Sequence, residues 1–340
     1  MTLREGYEDY CWSSGGAEAL AMICKHVAES KKQRINVYLP GYFCGQSLRH
    51  LRSLPINLCF YSVDSELLPI YSNIRMSHRV HPVHILVHVH YFGSIRAQDS
   101  SRDLANELDA LLIEDCAHII SPYALDNWRG DYLIFSPHKH FPLPKIALAI
   151  SKDKRATTTL KKNGRTPIAW FVKELIKKLI NRRRPAKWEK KWTSQTEFLN
   201  SYDVNFFTRR AAMSYLLDFR ISAEQRFLNS RLLVAQLSDI GGWKPLQQME
   251  KICAPYLLGM ICDSAEIAKR RFNLINRSSQ IVMQWPDLPY EIKNTSFADQ
   301  NSMLVEQTLF FFIHQKVNIK ESMLVILVQL VVLAFIQQKI

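Results

Sequence analysis

None of the seven cysteines forms a C-x-x-C pair, which removes the usual ligand spacing of a zinc site and the framework of a disulfide-stapled secreted domain. Residues 2–9, TLREGYED, lack the basic start and apolar run of a signal peptide. Together these absences lead us to expect a protein of the reducing cytoplasm. The longest late apolar run, 323–336, is broken by Gln329 and falls short of the roughly 20 residues a bilayer span needs, so a closing helix packed on the protein is expected there. There is no internal repeat, no low-complexity tract and no nucleic-acid reading motif beside the tryptophans Trp170, Trp188 and Trp192, so nucleic acid is not an expected partner. Acid is in the minority, with 31 acidic against 44 basic residues and a net charge of +13. Most of that excess falls between Lys152 and Lys191, where Asp153, Glu174 and Glu189 are the only acids. A field of that sign attracts phosphates. Within it, 169–181 reads as a basic amphipathic helix, with Trp170, Phe171, Leu175 and Ile176 on one stripe. Such a helix is either a solvated face or a weak contact with an anionic membrane surface.

What is present is an ordinary globular composition, 340 residues and 47% hydrophobic, enough for one large domain and a smaller one. Up to about residue 151, short apolar runs alternate with helical patterns, the rhythm of an α/β unit with a mostly parallel sheet. Strands are predicted at 36–39, 58–61, 84–89, 110–113, 131–135 and 146–150, with helices at 17–27, 46–54 and 101–108. From about 166 to 237 the pattern is helical. After Gly241-Gly242 it turns mixed, with strands at 256–261, 280–283 and 309–313 around a helix at 265–276. The expected division is a large domain over 1–240, including the basic helical segment at about 152–237, and a small C-terminal α+β domain over 241–340.

The chemistry sits at strand ends. Ile113-Glu-Asp-Cys-Ala-His118 places Asp115 at the carboxyl end of an apolar strand, where open α/β sheets bind ligands. A carboxylate there asks for a cationic partner, and the protonated pyridine nitrogen of pyridoxal phosphate is one. Phe135-Ser-Pro-His-Lys-His-Phe141 also follows an apolar strand. It puts Lys139 in a restricted loop between two histidines and a phenylalanine, a setting that strips solvent from an amine and prepares it for Schiff-base chemistry. Near the start, Ser13-Ser-Gly-Gly-Ala-Glu-Ala-Leu20 opens a helix with small residues, whose backbone N–H groups suit a phosphate. Ser136 offers a hydroxyl to the same group.

With Leu39-Pro-Gly-Tyr-Phe-Cys44, His90-Tyr-Phe-Gly93, Gln284-Trp-Pro-Asp-Leu-Pro289 and Ile313-His-Gln315, these segments in their order resemble the DegT-like family of sugar aminotransferases, fold-type-I pyridoxal-phosphate-dependent enzymes. The resemblance implies a three-layer aspartate-aminotransferase-like large domain, a homodimer, and amino transfer from an amino-acid donor to a nucleotide-linked keto sugar in polysaccharide or secondary-metabolite assembly. It implies that Lys139 attaches the cofactor, that Asp115 holds its ring nitrogen, and that Gly16, Ala17 and Ser136 hold its phosphate. His118 stands where the family has a glutamine directed at the phenolic oxygen. At the ring-stacking register this chain has Cys44, so Tyr42 or Phe43 takes that role. Two departures stand out: Leu143-Pro-Lys-Ile-Ala147 replaces a paired-glycine turn, and His138 stands where relatives show arginine. Some relatives with histidine in place of the lysine carry out dehydration; here Lys139 itself fills that register. The alternative reading is a catalytically degenerate protein of this fold that binds an anionic partner through its basic face.

Overall fold

The computed structural model describes residues 9–152, 192–193, 204–247, 254–278, 281–285 and 287–313. The basic stretch 153–191, the amphipathic helix expected at 169–181, residues 314–315 and the apolar run 323–336 lie outside them.

Seven strands form the principal sheet: β1 (Asp9–Ser13), β2 (Asn36–Pro40), β3 (Asn57–Tyr61), β4 (Ile85–Val89), β5 (Leu111–Cys116), β6 (Tyr132–Phe135) and β7 (Ala147–Ser151). Their order is β1-β7-β6-β5-β4-β2-β3. Strands β2 to β6 run parallel, while β7 runs against both β6 and β1. The central runs are continuous in apolar residues because both faces of the sheet are covered, as parallel sheets require; every residue of β2, β6 and β7 is buried. Helix α1 (Gly16–Lys31) lays Leu20, Ile23 and Val27 on one face, against Val37, Val87 and Ile134. Between β2 and β3 the helix expected at 46–54 is a 3-10 turn followed by the single turn α2 (Arg49–Arg52). Helices α3 (Tyr71–His78) and α4 (Gln98–Glu107) complete this half.

The opposite face of the sheet carries Tyr38, Leu86 and Leu112 and is covered by α4 together with residues from late in the chain, among them Leu257, Trp285 and Phe310. That burial draws the C-terminal part onto the principal sheet. The two-residue strand β8 (Trp192–Thr193) precedes helices α5 (Phe206–Leu217) and α6 (Arg220–Ile240). Gly241 and Gly242, at φ +78° and +65°, then turn the chain through the left-handed region that glycine tolerates best. Beyond them β9 (Trp243–Pro245), β10 (Leu257–Cys262), β11 (Val282–Met283) and β13 (Thr308–Phe312) form an antiparallel sheet in the order β11-β13-β10-β9, while β12 (Leu288–Pro289) pairs with β8. Helix α7 (Ala265–Ser278) packs Phe272 and Ile275 on that sheet, and α8 (Ala298–Gln307) precedes β13.

Candidate active site

Loops at the carboxyl ends of the parallel strands build two adjoining cavities, of about 490 Å³ and about 210 Å³. Both are walled by Phe43, Cys44, Ser47, Asp115, Ala117 and Lys139. These shared walls outline a slot with a carboxylate and an amine facing across it. Asp115 is the penultimate residue of β5. Its Oδ1 accepts the Ala117 N–H at 3.0 Å, which turns the carboxylate into the slot. Lys139 ends a 3-10 turn, Pro137–Lys139, whose backbone N–H donates to the Ser136 carbonyl at 2.9 Å. Proline at the first position presets that turn. Burial pushes Asp115 above the usual carboxylate range and Lys139 below the usual amine range, and the charge of each partly restores the other. Neither ionises cheaply alone, because desolvation penalises the charged form of both. A bound group that is cationic at one edge and electrophilic at the other fits this arrangement.

The larger cavity runs to the start of α1, past Gly16, Ala17 and Ser136. A Cβ on Gly16 would stand 2.9 Å from the Ser136 Oγ, closer than real Cβ contacts. The space beside that hydroxyl therefore exists because residue 16 is glycine. Ser136 is 1% exposed, and its hydroxyl shares a cup with the opening amides of a sixteen-residue helix, the donor set that holds a phosphate. His138 also lines this end. Its Nδ1 lies 2.8 Å from the Ile146 carbonyl and 3.3 Å from the Ile146 N–H. One nitrogen cannot serve both, and the shorter contact makes it the donor. Burial lowers this imidazole to about 4, so it is neutral.

The smaller cavity is aromatic. His118 is sandwiched between the rings of Phe92 and Tyr256, at centroid distances of 5.4 and 4.8 Å. Its Nδ1 accepts the Phe92 N–H at 3.2 Å, which leaves the proton on Nε2. Burial, followed by the charge of Lys139, holds the ring well below its ordinary range, so His118 is a neutral N–H donor. Phe92 sits at φ +54° and Gly93 at φ +97°, where a Cβ on Gly93 would meet the Ala254 carbonyl at 2.5 Å. The tight turn of the His90-Tyr-Phe-Gly93 segment thus holds Phe92 against His118. Of the two expected stacking residues, Phe43 reaches both cavities and Tyr42 only the smaller one, where it packs on Tyr91 and Trp285.

All eight residues expected at the site therefore line one or both cavities. Two others were not foreseen. Tyr256, just before β10, lies under the Lys139 ammonium, 5.7 Å from nitrogen to ring centroid, and edge-on to His140. Arg226, on α6 and fully buried, donates through Nη2 to the His140 carbonyl at 2.8 Å and through Nη1 to His140 Nδ1 at 3.1 Å. It braces the residue that follows Lys139. Only the apolar neighbours of Arg226 and the strand beside Tyr256 carried a signal, and neither points to a site.

The fold is that of the aspartate-aminotransferase-like α/β proteins. Neither a protein-family model nor a curated protein sequence matches the chain. Among solved structures, the chain is similar to a DegT DnrJ EryC1 StrS aminotransferase from Brucella abortus (12% identity, 94% of this chain and 85% of that one, TM-score 0.66). It is also similar to PseC of Helicobacter pylori, an aminotransferase involved in the biosynthesis of pseudoaminic acid (12%, 96% and 87%, TM-score 0.69). A third is a GDP-4-keto-6-deoxymannose-3-dehydratase with a trapped PLP-glutamate geminal diamine (15%, 95% and 89%, TM-score 0.70). At such identities the likeness establishes the fold.

Proposed function

We propose that this protein is a pyridoxal-phosphate-dependent aminotransferase that moves an amino group from an amino-acid donor to a nucleotide-linked keto sugar in polysaccharide or secondary-metabolite biosynthesis. The observation that carries this reading is the pair of strand-end groups, Asp115 and Lys139, on the shared walls of the two cavities. When bound, the cofactor supplies an electron sink for the donor's α-carbon electrons. Asp115 would keep the ring nitrogen protonated, since a partly buried carboxylate is itself stabilised by an adjacent cation. Lys139 would attach the cofactor and, as an amine of lowered basicity, would take the proton from the donor's α-carbon. His118 would donate from Nε2 to the phenolic oxygen. Gly16 and Ala17 amides with the Ser136 hydroxyl would hold the phosphate, and Phe43 would cover the ring. In this reading Gly241-Gly242 divides a domain over 1–240 from one over 241–340, and Tyr256 reaches the site from the second. A cytoplasmic location suits the described cysteines Cys24, Cys44, Cys59, Cys116 and Cys262, which form no disulfide.

Adding pyridoxal phosphate to the purified protein is expected to produce a visible absorption band, and borohydride should then fix the pyridoxyl group on Lys139, located by peptide mass. No band at saturating cofactor, or label spread over surface lysines, would sink the assignment.

The reading includes a homodimer. Helices α5 and α6 expose Phe206 (68%), Phe207 (80%) and Ile221 (76%), more apolar surface than a solvated helix pair normally shows. The double substitution Phe206→Glu, Phe207→Glu is expected to halve the mass seen by sedimentation velocity. A monomeric wild type, or a variant of unchanged mass, would remove this face from the subunit contact.

A further inference from the structure

Pyridoxal phosphate carries a phosphate, and the cup described for it is poorly supplied with positive charge. Its first turn contains an acid: Glu18 accepts the Ser14 N–H at 2.7 Å and the Ser14 hydroxyl. A carboxylate there offsets the positive end of the helix on which the phosphate would rest. The imidazoles lining the cavity do not compensate. His138 spends its Nδ1 proton on Ile146 and presents only a lone pair. His50 is held below its ordinary range by burial and then by Arg49, and is neutral. Among the described residues lining the larger cavity, the remaining cations are Lys139, engaged across the slot with Asp115, and Lys145.

We propose that Lys145 supplies the countercharge that binds the cofactor's phosphate in this cavity. The assignment rests on the reading of the cavity as a pyridoxal phosphate site. Lys145 lines the same cavity as Gly16, Ser136 and His138, with an exposed side chain at its mouth. Its backbone is held next to the cup, because the neighbouring Ile146 carbonyl takes the His138 proton at 2.8 Å. Its charge is felt at His138 and helps to keep that ring neutral. A lysine binds phosphate as a mobile point charge and does not need the fixed fork of an arginine. That suits a residue reaching inward from the rim, and it accounts for a histidine at 138 where a cation is expected.

The test is equilibrium binding, read from the visible spectrum, of two aldehydes that differ only in the phosphate. Lys145→Gln is expected to weaken pyridoxal phosphate about tenfold, the size of one charged hydrogen bond, and to leave pyridoxal unchanged. Lys145→Arg should restore binding to within about twofold of wild type. Inorganic phosphate should compete with pyridoxal phosphate in wild type, and more weakly in Lys145→Gln. Equal weakening of both aldehydes, or of neither, overturns the proposal and leaves the cofactor site standing. So does a Lys145→Gln protein that keeps its affinity for pyridoxal phosphate but loses affinity for a nucleoside diphosphate, which would give the lysine to a substrate. A wild-type protein that binds neither aldehyde overturns the cofactor site as well.

Discussion

Lys139→Ala is expected to lose borohydride-stable attachment of pyridoxal phosphate entirely and to reduce amino transfer by on the order of 10⁴-fold, the upper range for removal of a positioned acid–base group. The cause lies in its surroundings. Among the described residues of the shared slot walls Lys139 is the one amine, able to condense with an aldehyde and to act as a base, and burial lowers the basicity that otherwise keeps a lysine protonated. The same variant separates catalysis from a pure binding role. A degenerate protein of this fold would keep its affinity for an anionic partner after the substitution, while the enzyme would lose turnover and keep its fold. Retained amino transfer in Lys139→Ala, measured with purified protein and saturating donor, would exclude the mechanism given above. Loss of folding, checked by circular dichroism, is not expected, because alanine removes a charge that burial disfavours.

A second large effect is on stability in mild acid. His88 and His138 are pushed by burial to about 3 and about 4, and burial also drives His118 and His140 well below the ordinary 6.5. In the unfolded chain all four titrate near 6.5. Below that pH the unfolded state binds more protons than the folded one, so stability rises with pH and is lost as pH falls through 6.5. At pH 5.5 each fully neutral histidine costs about 1.4 kcal/mol. The four together cost roughly 5 kcal/mol, with a discount for His138, which is only partly buried by area. That is a large share of a typical folding free energy of about 5–15 kcal/mol. Asp115 works the other way, since its raised value lets the folded state take a proton first, but it is one group against four. Urea midpoints should therefore drop steeply between pH 7.5 and 5.5. A midpoint independent of pH over that range would mean that these imidazoles are charged or solvated in the folded protein.

The parts of the fold legible in the sequence are those whose burial leaves a simple pattern. Strands β2, β4, β6 and β7 are covered on both faces and so read as largely apolar runs, predicted to within a residue or so. Strand β1 was missed because, among the described residues, it is an edge strand paired only with β7, and its residues Asp9-Tyr-Cys-Trp-Ser13 mix polar and aromatic groups. Helix α3 was missed because Ile74 is the single residue it buries, too little to set a period. Asp115 and Lys139 stand out in the sequence because one lies two residues and the other four residues past the end of an apolar run, at Ile113 and Phe135, which sets their height in the sheet without any knowledge of the remainder. Arg226 and Tyr256 do not. The partner of Arg226 is 86 positions away in the chain, and Tyr256 meets His118, His140 and Lys139 only once the second sheet has packed over the first. No local spacing encodes either.

The segment that bears Lys139 joins β6 to β7, and those two strands run antiparallel, with Phe135 opposite Leu148. Lys139 therefore rides on a hairpin, unlike Asp115, which sits where a parallel strand must cross over. Both feet of this hairpin are pinned, by the register of the strands and by the clasp from His138 to Ile146, so its tip is free to change composition without moving its anchor. A change in the Pro142–Lys145 tip therefore leaves the height of the Lys139 amine above the sheet to be set by the strands themselves.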